Sequence, residues 1–100
     1  DYANIRDNNG EVIKISPKKL KIGDIIIIKS GEKVPVDGIV VKGESDLNTA
    51  ALTGESIPAD VTVNSEVLSG SLNGAGVLEV KVTKLFSDST INKIIVETQL

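Results

Sequence analysis

The chain has 100 residues, of which 40% are hydrophobic and 25% charged, and this size fits one small globular domain over residues 1–100. It contains no Cys, His, Met or Trp, which excludes a disulfide scaffold, a zinc finger, a Cys or His nucleophile and a site of soft metal ligands. The net charge of −3 combines eight basic and six acidic residues in 1–42 with three basic and eight acidic residues in 43–100. Without a basic cluster interleaved with aromatics, we expect no nucleic-acid partner.

The aliphatic composition predicts a β-rich core. The sequence has 13 Ile and 12 Val against one Tyr and one Phe, and β-branched side chains favour strands. The longest apolar run, Ile25 to Ile28, is far shorter than the roughly 18–20 residues of a membrane-spanning helix, and no signal-peptide pattern opens the chain. We therefore expect a soluble domain.

In the first half of the chain, four short apolar or alternating segments predict strands. The first two are separated by Asp7-Asn8-Asn9-Gly10, whose residues tolerate the positive φ of a tight hairpin turn. The four-isoleucine segment is typical of a strand buried on both faces, and a Gly- and Pro-containing loop over Ser30–Gly38 precedes the last strand. The predicted strands are Ala3–Arg6, Glu11–Ile15, Ile25–Lys29 and Ile39–Lys42.

Further strands are predicted in the second half, at Asp60–Val63, Glu66–Leu68 and Val77–Leu85. The last of these alternates Leu78, Val80 and Val82 with polar residues, which indicates one buried and one solvent-facing side. Asn64-Ser65 and Asn73-Gly74-Ala75-Gly76 read as turns, as does Gly43-Glu44-Ser45.

From about Thr90 the pattern changes to helical spacing, with Ile91, Ile94 and Ile95 on one side behind the possible caps Ser87, Asp88 and Ser89. The whole pattern predicts an all-β body, closed or sandwiched, with one C-terminal helix.

Strand patterning fails from Ala50 to Pro58, around Thr53-Gly54-Glu55-Ser56. One interpretation is a surface loop in which Gly permits a tight backbone and Ser and Thr bond locally to the main chain. The other is a functional loop, because an ionised Glu55 beside a small Gly54 could accept a hydrogen bond from a water and aim it at an electrophile. The chain itself offers no electrophile, so the residues alone leave both interpretations open.

Thr53-Gly54-Glu55-Ser56 followed by Ile57-Pro58 resembles the signature loop of the actuator domain of P-type cation-transporting ATPases. Five other blocks are similar to that family in order and spacing, so the resemblance covers nearly the whole chain. They are Ile22-Gly23-Asp24-Ile25, Gly31 to Gly38, Gly43-Glu44-Ser45, Ser69-Gly70-Ser71-Leu72-Asn73 and Ser87 to Ile94. The resemblance implies a mainly β, distorted jelly-roll actuator domain, similar to a double-stranded β-helix, over residues 1–100.

This resemblance implies that the pump phosphorylates an Asp in another domain and that the actuator helps to hydrolyse the aspartyl phosphate. Glu55 is expected to orient the attacking water, Thr53 and the Gly54 backbone to line the phosphate, and Ser56 to hold the loop. No cofactor or metal is expected in this domain, while the parent pump uses ATP and Mg²⁺.

The implied partners are the phosphorylation and nucleotide-binding domains of the same polypeptide, together with transmembrane helices reached through linkers. Domain rotation would transmit the hydrolysis step to those helices at the cytoplasmic face of a membrane. The isolated chain is expected to be monomeric and without ATPase activity of its own.

The opening Asp1-Tyr2-Ala3-Asn4 and the stretch Asn48 to Leu52 resemble the heavy-metal branch, and within it the zinc, cadmium and lead exporters more than the copper pumps. A copper exporter is the nearest alternative. Alternatives from other classes are a β-rich surface adhesin module with an isopeptide bond and a small module holding a divalent cation through Glu55. The last lacks converging acidic ligands in sequence.

Overall fold

The computed structural model describes residues 2–54 and 58–91, with residues 51 and 53 described by their backbone alone. Short strands dominate this part of the chain, together with one helical turn, α1 (Ala50–Thr53), and two 3₁₀ turns, Pro17–Lys19 and Phe86–Asp88. The strands are β1 (Ala3–Arg6), β2 (Val12–Ile15), β3 (Ile25–Ile28), β4 (Gly38–Lys42), β5 (Ser45–Asn48), β6 (Pro58–Val61), β7 (Glu66–Val67), β8 (Leu72–Asn73) and β9 (Leu78–Val82).

These strands form two antiparallel sheets, which confirms the all-β prediction. The larger sheet has the order β2-β1-β3-β9-β4-β7 and the smaller one the order β6-β5-β8. Leu47 of β5 and Val61 of β6 belong to the same hydrophobic cluster as Ile26 and Val80 of the larger sheet. The two sheets therefore share one core.

That core lies behind the strands with the clearest sequence patterns. Leu78, Val80 and Val82 are fully buried, and Ile26 pairs directly with Val80. The alternation predicted for β9 is confirmed. In β3, positions 26–28 are buried as predicted, but Ile25 is 41% exposed.

The predicted β1–β2 hairpin is also confirmed. Its turn is closed by a hydrogen bond from the Asp7 N–H to the Glu11 carbonyl oxygen (2.8 Å), and Gly10 has φ +80°. The side chain of Asp7 strengthens it, because Oδ1 accepts from the backbone N–H groups of Asn9 (2.9 Å) and Glu11 (3.0 Å). This local turn chemistry is what the Asp-Asn-Asn-Gly sequence predicts.

Two strands were not predicted, and several strand boundaries differ from the prediction, the end of β9 by three residues. β5 contains Ser45, which was read as part of a turn, and β8 contains Asn73, which was read as the start of another turn. Both strands are polar and owe their extended backbone to pairing with each other and, for β5, with β6. β6 begins at Pro58, two residues earlier than predicted, and its place at the edge of the smaller sheet suits a residue without an N–H.

The predicted C-terminal helix lies almost wholly outside the described residues. Thr90 and Ile91 have helical backbone, and the prediction for the residues after them is untested.

Candidate functional site

The candidate loop joins two paired strands. β5 and β6 are antiparallel neighbours, and their last pair is Asn48 opposite Pro58, so residues 49–57 connect the two ends of one ladder. Of the four residues singled out from the sequence, Glu55 and Ser56 lie outside the described residues and Thr53 is described by its backbone alone. Gly54 is described in full. The roles assigned to these four residues therefore stay predictions.

The approach to Glu55 is the single helical turn α1. The side-chain Oδ1 of Asn48 accepts a hydrogen bond from the Ala50 N–H (2.8 Å), which gives one free donor of the turn a partner. At the other end the Gly54 N–H donates to the Ala50 carbonyl oxygen (2.8 Å). Gly54 has φ +77°, the left-handed conformation that ends a helix and that glycine adopts most easily. It is exposed, and a Cβ there would have no heavy atom of the described residues within 4 Å.

The turn rests on a contact between three distant parts of the chain. A Cβ placed on Gly70 would lie 3.1 Å from Leu52 Cδ2 and 3.0 Å from Ile91 Cδ1. Leu52 of α1 and Ile91 of the C-terminal segment therefore pack directly against the bare backbone of Gly70, which has φ +89°. A Cβ at position 70 would press on both side chains, which would have to move by a few tenths of an ångström.

Beneath this contact lies Asp37, which is 1% exposed. Its Oδ1 accepts from the backbone N–H groups of Ser69 (2.8 Å) and Thr90 (3.1 Å), and its Oδ2 accepts from the Thr90 hydroxyl (2.7 Å). The Lys84 Nζ lies 3.8 Å from Oδ2. The carboxylate thus connects Ser69, which precedes Gly70, with Thr90, which precedes Ile91.

Two serines complete this connection. The Ser69 Oγ accepts from the Ile91 N–H (2.9 Å), and the Ser89 Oγ accepts from the Asp37 N–H (3.1 Å) while donating to the Leu85 carbonyl oxygen (2.9 Å). Both serines are fully buried. The segment 85–91 is therefore fixed to the body by polar contacts on either side of Asp37.

Burial by itself would raise the pKa of the Asp37 carboxyl, because a low-dielectric environment disfavours the charged form. The hydrogen bonds from the Ser69 backbone and from the Thr90 hydroxyl and backbone outweigh this effect and lower the pKa below its usual range. Asp37 is therefore a carboxylate at neutral pH, and its stabilising partners are all donors.

The surface near β5 and β6, the strands that flank the loop, is acidic. Asp46 of β5 lies directly opposite Asp60 of β6, and Glu44 lines the same open cavity. The sequence has no Lys or Arg between Lys42 and Lys81 to offset them. A dianionic phosphoryl group would be repelled by this surface, so any such group needs cations from elsewhere.

Within 2–54 and 58–91, no group of three or more Asp or Glu side chains is arranged to hold a metal ion. The same part of the chain contains no helix long and apolar enough to cross a membrane.

Comparison with known proteins gives the family. The family model that describes the P-type ATPase actuator domain matches residues 1–99. The chain belongs to this family. Its fold agrees with two crystal structures of a zinc-transporting PIB-type ATPase in two states. The first has a TM-score of 0.88 at 28% identity and covers 98% of this chain and 16% of that one. The second has a TM-score of 0.90 at 26% identity and covers 99% and 16%.

Among curated relatives, the "cadmium, zinc and cobalt-transporting ATPase" of Helicobacter pylori is 53% identical over 85% of the chain. The "zinc-transporting ATPase" of Synechocystis is 46% identical over 95%. The chain spans 12% and 13% of the length of these two relatives. Membership of the actuator family leaves the surface adhesin alternative without support.

The sequence pattern does not predict the Asp37 connection. Asp37, Ser69 and Thr90 all lie in blocks that resemble the family, but local spacing does not indicate their hydrogen bonds, because the partners of Asp37 are 32 and 53 residues away. One local signal was available. Asp37 comes directly after Val36, which is fully buried like Val34. A carboxylate placed within an apolar stretch must find several donors.

Proposed function

We propose that the chain is the actuator domain of a metal-cation pump and that its Thr53-Gly54-Glu55-Ser56 loop assists hydrolysis of an aspartyl phosphate on another domain. The observation that supports this most directly is Gly54, an exposed left-handed residue that ends a helical turn immediately before Glu55. It lies in the segment that connects the paired strands β5 and β6, at the end of α1, whose Leu52 packs against Gly70. Such a loop can approach a group held by a separate domain.

In this mechanism Glu55 accepts a hydrogen bond from the attacking water and takes its proton as the water oxygen bonds to phosphorus. The bond between phosphorus and the aspartyl oxygen breaks, and the aspartate leaves as a carboxylate. A glutamate with an ordinary pKa of about 4.3 is ionised at neutral pH and can act as this base. Thr53 and the backbone of Gly54 line the phosphate, and Ser56 holds the loop.

The remaining charge comes from outside this domain. Among the described residues, the cavity beside β5 and β6 is lined by Glu44, Asp46 and Asp60 and by no Lys or Arg, so it offers no positive charge for the phosphoryl oxygens. Mg²⁺ bound by the phosphorylation domain would supply Lewis-acid neutralisation, and a Lys of that domain a second positive charge. ATP is bound by the nucleotide-binding domain of the same polypeptide.

The coupling partner is the membrane part of the pump. We infer that the domain lies at the cytoplasmic face and that its rotation moves transmembrane helices through the linkers, with one rigid β body acting as the lever. The relatives' names favour zinc, cadmium or cobalt as the transported ion over copper. ATPase assays of the full-length pump with each of the four metals separate these possibilities.

The function is tested by Glu55→Gln in the full-length pump, with phosphoenzyme followed after ATP is added. We expect phosphoenzyme to form and to decay about 10²–10⁴-fold more slowly, which is the usual contribution of general-base assistance. Glu44→Gln is the matched control, because it removes an exposed carboxylate from the same acidic side of the domain. Decay of the Glu55→Gln phosphoenzyme at the unmodified rate would contradict the proposal.

A further inference from the structure

We propose that Asp37 is a positioning residue for the Thr53–Ser56 loop. Its buried carboxylate fixes the two chain segments on which α1 rests, and so fixes the direction in which the loop leaves the domain. The inference rests on the proposed function of that loop and adds to it a residue that does not touch the phosphate.

The first step is the reach of the carboxylate. Asp37 is in the loop before β4, whereas Ser69 follows β7 and Thr90 follows the second 3₁₀ turn. Its two oxygens bind both of these segments directly, at 2.7–3.2 Å. Because Ser69 and Ile91 are also bonded to each other through Oγ and N–H (2.9 Å), the two segments are held as one unit.

The second step is the contact with α1. The residues that follow Ser69 and Thr90 are Gly70 and Ile91, and the side chains of Leu52 and Ile91 both lie against the backbone of Gly70. Leu52 lies two residues before Gly54 in a turn only four residues long. So short a helix has little stability of its own and takes its position from tertiary contacts. A shift of Gly70 or Ile91 would therefore displace the start of the loop.

The third step is the specificity of the arrangement. Leu52 and Ile91 are not members of the buried hydrophobic core of the two sheets, so their contact at Gly70 is separate from that core. A charged, fully bonded carboxylate allows one geometry, whereas an apolar contact tolerates small slips. Displacements of about 1 Å at a reacting centre can cost on the order of 10²-fold in rate.

The test uses the full-length pump and the pair Thr90→Val and Thr90→Ser. Valine keeps the shape of threonine but removes the hydroxyl that donates to Asp37, and serine restores that donor. We expect Thr90→Val to leave phosphoenzyme formation from ATP intact and to slow its decay about 3- to 10-fold, within the range that misplacement produces. Thr90→Ser should recover most of the rate.

Asp37→Asn should slow decay at least as much as Thr90→Val, and the exposed Asp88→Asn serves as the control in the same segment.

A double-mutant cycle with Glu55→Gln separates positioning from general loss of structure. If Asp37 and Thr90 act through Glu55, Thr90→Val will have no further effect on decay in the Glu55→Gln background. The same fold-reduction in both backgrounds would overturn the inference, as would unmodified decay in both Thr90→Val and Asp37→Asn. In either case a slow Glu55→Gln phosphoenzyme would leave the proposed function standing. Unmodified decay in Glu55→Gln would instead refute the proposed function, and the inference with it.

Discussion

Asn73 and Asp37 are equally buried, each 1% exposed, but their hydrogen-bonding surroundings are opposite. Asn73 Nδ2 donates to three carbonyl oxygens, those of Ile28 (3.2 Å), Lys29 (3.0 Å) and Gly76 (2.7 Å). The groups that face the side chain of Asp37 are all donors. The two side chains have nearly the same shape, and the neighbouring groups determine which of them fits: the donors around position 37 stabilise a carboxylate, and the carbonyl oxygens around position 73 stabilise an amide N–H₂.

Their positions in the fold differ as well. Asn73 is on β8 of the smaller sheet and binds the end of β3 in the larger one, while its Oδ1 accepts from the Ser45 hydroxyl of β5 (2.6 Å). It therefore joins the two sheets. Asp37 joins the segments under α1, at the periphery of the core. The comparison indicates that Asn73 holds the body together, whereas Asp37 orients what the body carries.

The largest effect on stability is expected for Asn73→Asp in the 100-residue chain. The introduced carboxylate would face three carbonyl oxygens and lose every donor interaction of the amide. An uncompensated buried charge typically costs about 3–5 kcal/mol, and we expect the free energy of unfolding at pH 7 to fall by about that amount. Urea denaturation measures it. A loss below about 1 kcal/mol would mean that Asn73 does not hold the sheets together.

A smaller loss is expected for Asp37→Asn, the reverse exchange. The amide oxygen can still accept from Ser69 and Thr90, but the amide nitrogen replaces one of the accepting oxygens and the charge opposite Lys84 disappears. A hydrogen bond that involves a charged group contributes about 1.5–3 kcal/mol, and part of it is retained, so we expect a cost of about 1–2 kcal/mol by urea denaturation at pH 7. A larger loss of unfolding free energy for Asp37→Asn than for Asn73→Asp would mean that Asp37, and not Asn73, contributes more to holding the body together.

On acidification both variants should approach the unmodified chain in stability, but over different pH ranges. The pKa of Asp37 is lower in the folded chain than the ordinary 3.8, so its stabilisation is complete above that value and is lost as the pH falls through it and below. The stability difference between the unmodified chain and Asp37→Asn should shrink between pH 5 and pH 2.

In Asn73→Asp, burial among carbonyl oxygens raises the pKa of the introduced carboxyl. Its destabilisation should therefore be relieved on acidification, as the group takes up a proton. Unfolding curves at a series of pH values give both trends. The relief in Asn73→Asp should occur above the ordinary pKa of 3.8, whereas the difference for Asp37→Asn is lost mainly below it. Relief of Asn73→Asp only below pH 3.8 would show that the pKa of the introduced carboxyl is not raised.

This contrast also explains what the sequence could predict. The β1–β2 hairpin and the alternation of β9 follow from neighbouring residues, and both were predicted. β5 and β8 are polar and are strands only because distant segments pair with them, so local patterning could not find them. The carboxylate of Asp37 belongs to the second class, because its partners are far away in sequence. For the loop itself, the residues left two interpretations open, and the family resemblance favoured the functional one.

The smallest effect is expected at the exposed end of α1, for Gly54→Ala. A Cβ at this position would meet no atom of the described residues within 4 Å, so we expect the cost of the left-handed backbone, about 1 kcal/mol. Gly70→Ala is the matched comparison, because its φ of +89° is similar but its Cβ would press on Leu52 and Ile91. Overpacking adds about 1–3 kcal/mol there. Equal losses in urea denaturation would mean that Leu52 and Ile91 yield freely, and that α1 is not held against Gly70.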